Sequence, residues 1–208
     1  NVSCIPGPSC IRPASFAATD VASDSAYLEW VDTVGTEWLV AYGPAGFTLG
    51  SANTNYISTT DNFIAIGDLT PNTDYDFYLM TLCGTNVGDT SLSRMLSLRT
   101  ACVALDTLPY IYGFEGATTG GSSTSSPFAA DCWLRLNNGT SYGGYPYISS
   151  TSTYCHTGSR GLYWFNTTTT GTYGDYQCLV LPGVNTDNNP INTLQLKFWA
   201  KSSSSSTN

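Results

Sequence analysis

Apolar and polar positions along this chain alternate with a period of two, in short runs separated by Gly, Pro, Asn, Asp and Ser. Few windows hold apolar residues at helical spacing without Gly or Pro among them. Between residues 14 and 100 the alternation predicts seven strands: Ser15–Thr19, Ala26–Val31, Glu37–Tyr42, Asn55–Thr60, Asn62–Ile66, Tyr75–Cys83 and Met95–Thr100. Ala26, Leu28 and Trp30 share one face of the second strand, Trp38, Val40 and Tyr42 one face of the third, and Tyr75, Phe77, Leu79 and Thr81 one face of the sixth. Those sets suit two facing antiparallel sheets around a common core. After a link at residues 102–107, aromatics and Gly become dense and Ser/Thr runs appear. Strand-like pieces continue at Tyr110–Phe114, Trp133–Leu136, Gly161–Asn166, Tyr176–Leu181 and Leu194–Ala200. The last alternates well, with Leu194, Leu196 and Phe198 on one side and Gln195, Lys197 and Trp199 on the other. An all-β chain of two sandwiches is the reading, residues 10–101 and 108–208, preceded by a Pro/Gly tail over 1–9.

Composition narrows the function. Charged residues are 11% of the 208, below the roughly 25% of an average soluble protein, and 24 Ser with 29 Thr supply the polarity instead. The net charge of −8 disfavours nucleic acid and anionic membrane surfaces, both of which require a basic face. No apolar run approaches the roughly 18 residues of a membrane span. The start, Asn1-Val2-Ser3, lacks the tripartite character of a secretion signal, so a leader is expected to be absent, removed or upstream. The cysteines at 4, 10, 83, 102, 132, 155 and 178 contain no C-x-x-C spacing, and the only histidine is His156. That pattern fits disulfides in an oxidising compartment better than a zinc site, with buried free thiols as the alternative. The odd count leaves one cysteine over, and Cys4 in the tail is the candidate.

In Leu69-Thr70-Pro71-Asn72-Thr73-Asp74-Tyr75, Pro and Asn build a turn and Tyr75 opens the long sixth strand. A tyrosine there buries its ring and returns its hydroxyl to the backbone of the turn, as in a tyrosine corner. Phe77 occupies the place where an antibody-type domain has its second cysteine. Together with Pro13, Ala26-Tyr27-Leu28-Glu29-Trp30, Trp38-Leu39-Val40-Ala41-Tyr42-Gly43 and Leu98-Arg99-Thr100, this segment resembles a fibronectin type III domain over about residues 10–101. The stretch from Glu37 to Phe47 is similar to the version in large surface proteins of anaerobic gut bacteria. The resemblance makes Trp30, Tyr42, Leu69, Pro71 and Tyr75 structural residues. It also places Cys10, before the first strand, and Cys83, at the end of the sixth, at one pole of the sandwich, where they could bond. The Arg-Gly-Asp tripeptide of integrin-binding members is absent, its loop reading Gly84-Thr85-Asn86-Val87-Gly88-Asp89.

The second segment resembles the jelly-roll modules called cleaved-adhesin, MAM-like or choice-of-anchor J domains. The matching pieces are Leu108-Pro109-Tyr110-Ile111-Tyr112-Gly113-Phe114-Glu115-Gly116, Asp131-Cys132-Trp133, His156-Thr157-Gly158-Ser159, Leu179-Val180-Leu181-Pro182 and Leu194-Gln195-Leu196-Lys197-Phe198-Trp199-Ala200. Such modules are longer, so the resemblance implies an incomplete jelly roll here. It also implies Cys102 with Cys132 and Cys155 with Cys178 as disulfide partners, and calcium as a ligand, with Glu115 and more weakly Asp131 among the oxygen donors.

Catalytic chemistry has little material. His156 lies in a His-Thr-Gly-Ser turn with no acid behind it for a triad. The glutamates number only three, Glu29, Glu37 and Glu115, and Asp74 and Asp76 on the sixth strand have no identifiable partner and are expected on a solvated face. Carbohydrate binding is the other candidate: Tyr142, Tyr145 and Tyr147 offer rings beside Asn137 and Asn138, and Tyr173 and Tyr176 flank Asp175. The competing reading is that tyrosines simply suit half-buried strands. Asn1, Asn138 and Asn166 head Asn-x-Ser/Thr triplets, and Asp24-Ser25-Ala26, Asp32-Thr33-Val34 and Asp106-Thr107-Leu108 fit an O-glycan pattern of the bacterial group resembled. The expectation is a non-catalytic adhesion or scaffold fragment of a secreted or cell-surface bacterial protein, joined to neighbouring domains and without nucleic-acid or membrane partners. The alternative is a carbohydrate-binding accessory module of a larger glycan-degrading enzyme.

Overall fold

A computed structural model describes residues 10–84, 89–123, 126, 128, 130–137, 144–165 and 176–201. The chain is all-β and divides into two compact units, Asn1–Val103 and Ala104–Asn208.

The first unit contains β1 (Ser15–Val21), β2 (Ala26–Val31), β3 (Trp38–Pro44), β4 (Asn55–Thr59), β5 (Phe63–Ile66), β6 (Asp74–Thr81) and β7 (Arg94–Arg99). One antiparallel sheet runs β1-β2-β5 and the other β4-β3-β6-β7. Each central strand turns its alternate apolar residues to the facing sheet. Ala26, Leu28 and Trp30 from β2 meet Trp38 and Val40 from β3 and Tyr75, Phe77 and Leu79 from β6, with Ile66 and Leu69 closing the cluster. Trp30 meets Trp38 edge to face at 5.7 Å, an arrangement the aromatic quadrupole favours. Among the described residues the buried Trp30 indole N–H has no hydrogen-bond partner, a cost that the packing of its ring offsets.

The Tyr75 hydroxyl accepts the Thr70 N–H at 3.0 Å. Thr100 tightens the same corner, because its hydroxyl donates to the Thr70 carbonyl at 2.7 Å and accepts the Thr73 N–H at 2.9 Å. Asn72 sits in this turn at φ 49°, a conformation that asparagine tolerates better than most side chains. Cys10 and Cys83 are joined by a disulfide with Cα atoms 5.6 Å apart, closing the loop between the chain before β1 and the end of β6.

The second unit contains β8 (Leu134–Asn137), β9 (Tyr147–Ser149), β10 (Gly161–Tyr163) and β11 (Gln177–Val180), with single 3-10 turns at Ser152–Tyr154 and Ile191–Thr193. Its described strands form two separate antiparallel pairs, β9·β10 and β8·β11. Its core gathers Ala117, Ala130 and Ile148 against Tyr112, Phe114, Phe128, Trp133 and Leu162.

Two strands expected from the alternation are absent. Tyr110–Phe114 keeps its alternate rings together, Tyr112 packing on Tyr110, Phe114 and Trp133, but Phe114 has φ 63°, outside the β region. Leu194–Ala200 alternates yet belongs to no strand, and Leu196, Phe198 and Trp199 stay exposed. Period-two alternation marks a chain that can form a strand; a partner edge must then be present to form one.

Candidate functional site

The carboxylates hold the backbone in place. Asp32 closes the β2–β3 turn. Its Oδ1 accepts the Val34 and Gly35 N–H groups at 3.0 and 3.1 Å, and its Oδ2 accepts the Trp38 indole N–H at 2.9 Å and the Thr81 hydroxyl at 2.8 Å. Burial alone would push its carboxyl upward; these four donors outweigh that and bring it down to about 2. Gly35 is required there, since a Cβ would come within 2.6 Å of the Asp32 carboxylate and 2.7 Å of Thr81.

Asp74 lies on a solvated face as expected but has a partner there, whereas Asp76 is buried. Asp76 is 5% exposed, accepting the Gly46 N–H at 2.7 Å and the Ser97 hydroxyl at 2.5 Å, so it ties the β3–β4 loop to β7 across β6. Asp74 accepts from Nε and Nη2 of Arg99, which hold its carboxyl below the usual range. The sequence pattern missed both because their partners lie 21 to 30 residues away.

Glu115, expected as a calcium ligand, accepts hydrogen bonds from a turn. Its oxygens accept the Ser159 N–H, the Ser159 hydroxyl at 2.7 Å and the Arg160 N–H at 3.2 Å, and these donors hold its carboxyl below the ordinary value. The turn passes through Gly158 at φ 74°, where a Cβ would run into the Glu115 carboxylate. Asp131 is exposed, and its N–H donates to the Tyr112 hydroxyl at 3.3 Å. Among the described residues no three His, Cys, Asp or Glu side chains gather as a metal site. His156 lies flat against Trp199, ring centroids 4.1 Å apart.

Of the expected disulfide cysteines, Cys10 and Cys83 are bonded to each other, and Cys102 and Cys132 are also disulfide-bonded. Cys155 and Cys178 are a correction: both are free thiols. Cys155 follows the 3-10 turn beside the β9·β10 pair, whereas Cys178 sits on β11 in the other sheet. Cys4 lies outside the described residues.

The tyrosines form the most distinctive surface of the second unit. Tyr142, Asn138, Tyr173 and Asp175 lie outside the described residues. Tyr145 and Tyr147 come together with rings the sequence reading did not select. In the β9·β10 register Ile148 opposes Leu162 and Tyr147 opposes Tyr163. Ile148 and Leu162 enter the core, so Tyr147 and Tyr163 lie on the opposite face. One pleat further out, Tyr145 and Phe165 meet at 5.6 Å. Tyr147 and Tyr163 are 5.4 Å apart, and Tyr154 stacks on Tyr163 at 4.5 Å with planes 18° apart. The result is a cross-strand ladder of four rings with a fifth laid against it. Tyr145 is its buried base at 8% exposure, while Tyr154 and Phe165 are each 38% exposed. Burial and the neighbouring phenols of Tyr145, Tyr163 and Tyr154 raise the Tyr147 hydroxyl above its ordinary value.

The β8·β11 pair fixes this ladder. The Arg135 guanidinium donates to the carbonyls of Gly144 at 2.5 Å, Ser126 at 2.6 Å and Pro146 at 3.4 Å. The Asn137 amide donates to the Tyr145 carbonyl at 3.2 Å, and the Gln177 amide, opposite Asn137 in the register, donates to the Phe165 carbonyl at 2.8 Å. Glu115 sets the turn leading into β10. The signal available in sequence was the pair of period-two aromatic couplets, Tyr145-x-Tyr147 and Tyr163-x-Phe165.

No family model matches the chain, and no curated protein matches it. Solved structures are similar to it in part. The fn3 domain of the human collagen alpha-1(XX) chain is 22% identical, with 47% of this chain and 90% of that chain covered, at a TM-score of 0.40. A two-domain fibronectin type III segment from chicken tenascin is 18% identical, covering 42% of this chain and 49% of that one, at 0.36. A computationally redesigned β-sandwich protein is 17% identical, covering 44% and 95%, at 0.37.

Proposed function

We propose that this chain is a non-catalytic display fragment of a secreted or cell-surface protein, in which the first sandwich is a spacer and the second unit presents a ligand face for adhesion. One observation carries the reading: Asp32, Asp74, Asp76 and Glu115 are engaged by backbone, hydroxyl, indole or guanidinium donors of their own units. A general acid or base needs a side chain free to face substrate with a tuned proton affinity. Four cysteines in disulfide linkage suit an oxidising, extracellular setting. Adhesion of the fluorescently labelled full chain to a reconstituted extracellular-matrix coating tests the reading alongside chromogenic glycosides and esters. Saturable adhesion with no turnover above buffer is expected. Turnover abolished by His156→Ala, or an absence of adhesion, would overturn it.

A further inference from the structure

The β9·β10 hairpin divides its side chains by purpose. Ile148 and Leu162 complete the core of the second unit, and the rings of Tyr145, Tyr147, Tyr163 and Phe165 face away from that pair. Cross-strand aromatic pairs stabilise an antiparallel pair, which accounts for two rings meeting across one rung. It does not account for five rings, the outermost of them left more than a third exposed. Nor does it account for the polar clamps at three points of the ladder, from Arg135, Asn137 and Gln177. Clamps of that kind hold rings in place before a ligand arrives and so reduce the ordering cost of binding.

Building on the display reading above, we infer that the Tyr147–Tyr163–Tyr154 face is a binding site for uncharged polysaccharide. The chemistry of the surface selects this occupant. The ladder contains no Asp, Glu, Lys, Arg or His, and a chain of net charge −8 repels acidic glycans. Flat phenolic rings offer an apolar face to sugar C–H groups and a hydroxyl at their edge. The hydroxyls of Tyr147, Tyr154 and Tyr163 have no hydrogen-bond partner among the described residues. The adjoining exposed residues Ser150, Thr151, Ser152 and Thr153 add further hydroxyls. Tyr145 is the buried support of the site and not a contact.

Native affinity electrophoresis of the full chain tests this, in gels cast with galactomannan, xyloglucan or laminarin, and with alginate as the acidic counterpart. Retardation in at least one neutral gel and none in alginate is expected. Tyr154→Leu and Tyr163→Leu keep apolar bulk but remove the flat ring, and each weakens the association by about tenfold or more, a difference of roughly 1.4 kcal/mol. Thermal melts of the same variants establish that the fold is kept, and Tyr154→Phe, which retains the ring, retains binding. Equal retardation of wild type and both Leu variants would overturn the assignment. So would free mobility of the wild type in all three neutral gels, a result that leaves matrix adhesion and the display reading intact.

Discussion

Asp32 concentrates more of the first unit's order than any other single side chain described. Its folded-state value of about 2 lies below the roughly 3.9 of an unfolded chain. The stability it adds is therefore fully present above pH 4 and is lost as the pH falls from about 4 through about 2. Urea unfolding of wild type across that window should show a decline of roughly 2 kcal/mol that Asp32→Ala lacks. At pH 7 the same variant should be less stable by about 2–3 kcal/mol, because it strands the Trp38 indole and two backbone donors. Equal pH slopes for the two proteins would refute this role. Tyr75→Phe is the quieter counterpart. It keeps the buried ring and removes only the acceptor of the Thr70 N–H, so a loss of about 1–2 kcal/mol in the same assay is expected. Tyr75 was legible in sequence because corner and ring lie within seven residues. Asp76 was not, because its acceptors serve a loop and a strand far along the chain.

Among the elements, strands of the first unit are legible because each alternates long enough to fix a face and has a neighbour on which to lie. Ala26–Val31 is β2 to the residue, and the other six strands match their expected spans to within two residues at each end. In the second unit the same signal finds β8, β10 and β11 but fails elsewhere. β9 is three residues long and ends in Ser/Thr sequence, too short for a period to register, while Leu194–Ala200 has the period without a pairing strand. Two element-scale predictions follow from the crosslink and the clamp. Replacing Cys10 and Cys83 with Ser opens a loop of sequence separation 73 and should lower the stability of the first unit by on the order of 4 kcal/mol in the chain-entropy account, read by guanidinium unfolding. Arg135→Ala leaves the Gly144 and Ser126 carbonyls without their donor and should cost the second unit about 2 kcal/mol. Arg135→Lys restores only part of it, since a point-like ammonium cannot reproduce the guanidinium fork. Full restoration by Lys would show that charge alone, not donor geometry, places the ladder.

At the scale of the whole chain the two units differ in how completely they cover themselves. The first closes two sheets over one apolar cluster and engages Asp32, Asp74 and Asp76 internally. The second leaves an aliphatic face on β8·β11 and an aromatic one on β9·β10. The proposed division into spacer and presenting unit rests on this difference. The spacer role proposed for the first unit requires a sandwich pinned at Tyr75. Amide hydrogen exchange on the full chain reads that directly. The slowest amides should be those of β2, β3 and β6, with the Thr70 N–H protected by its bond to Tyr75 and lost from the protected set in Tyr75→Phe. Exchange in those strands as fast as in residues 194–200 would contradict it.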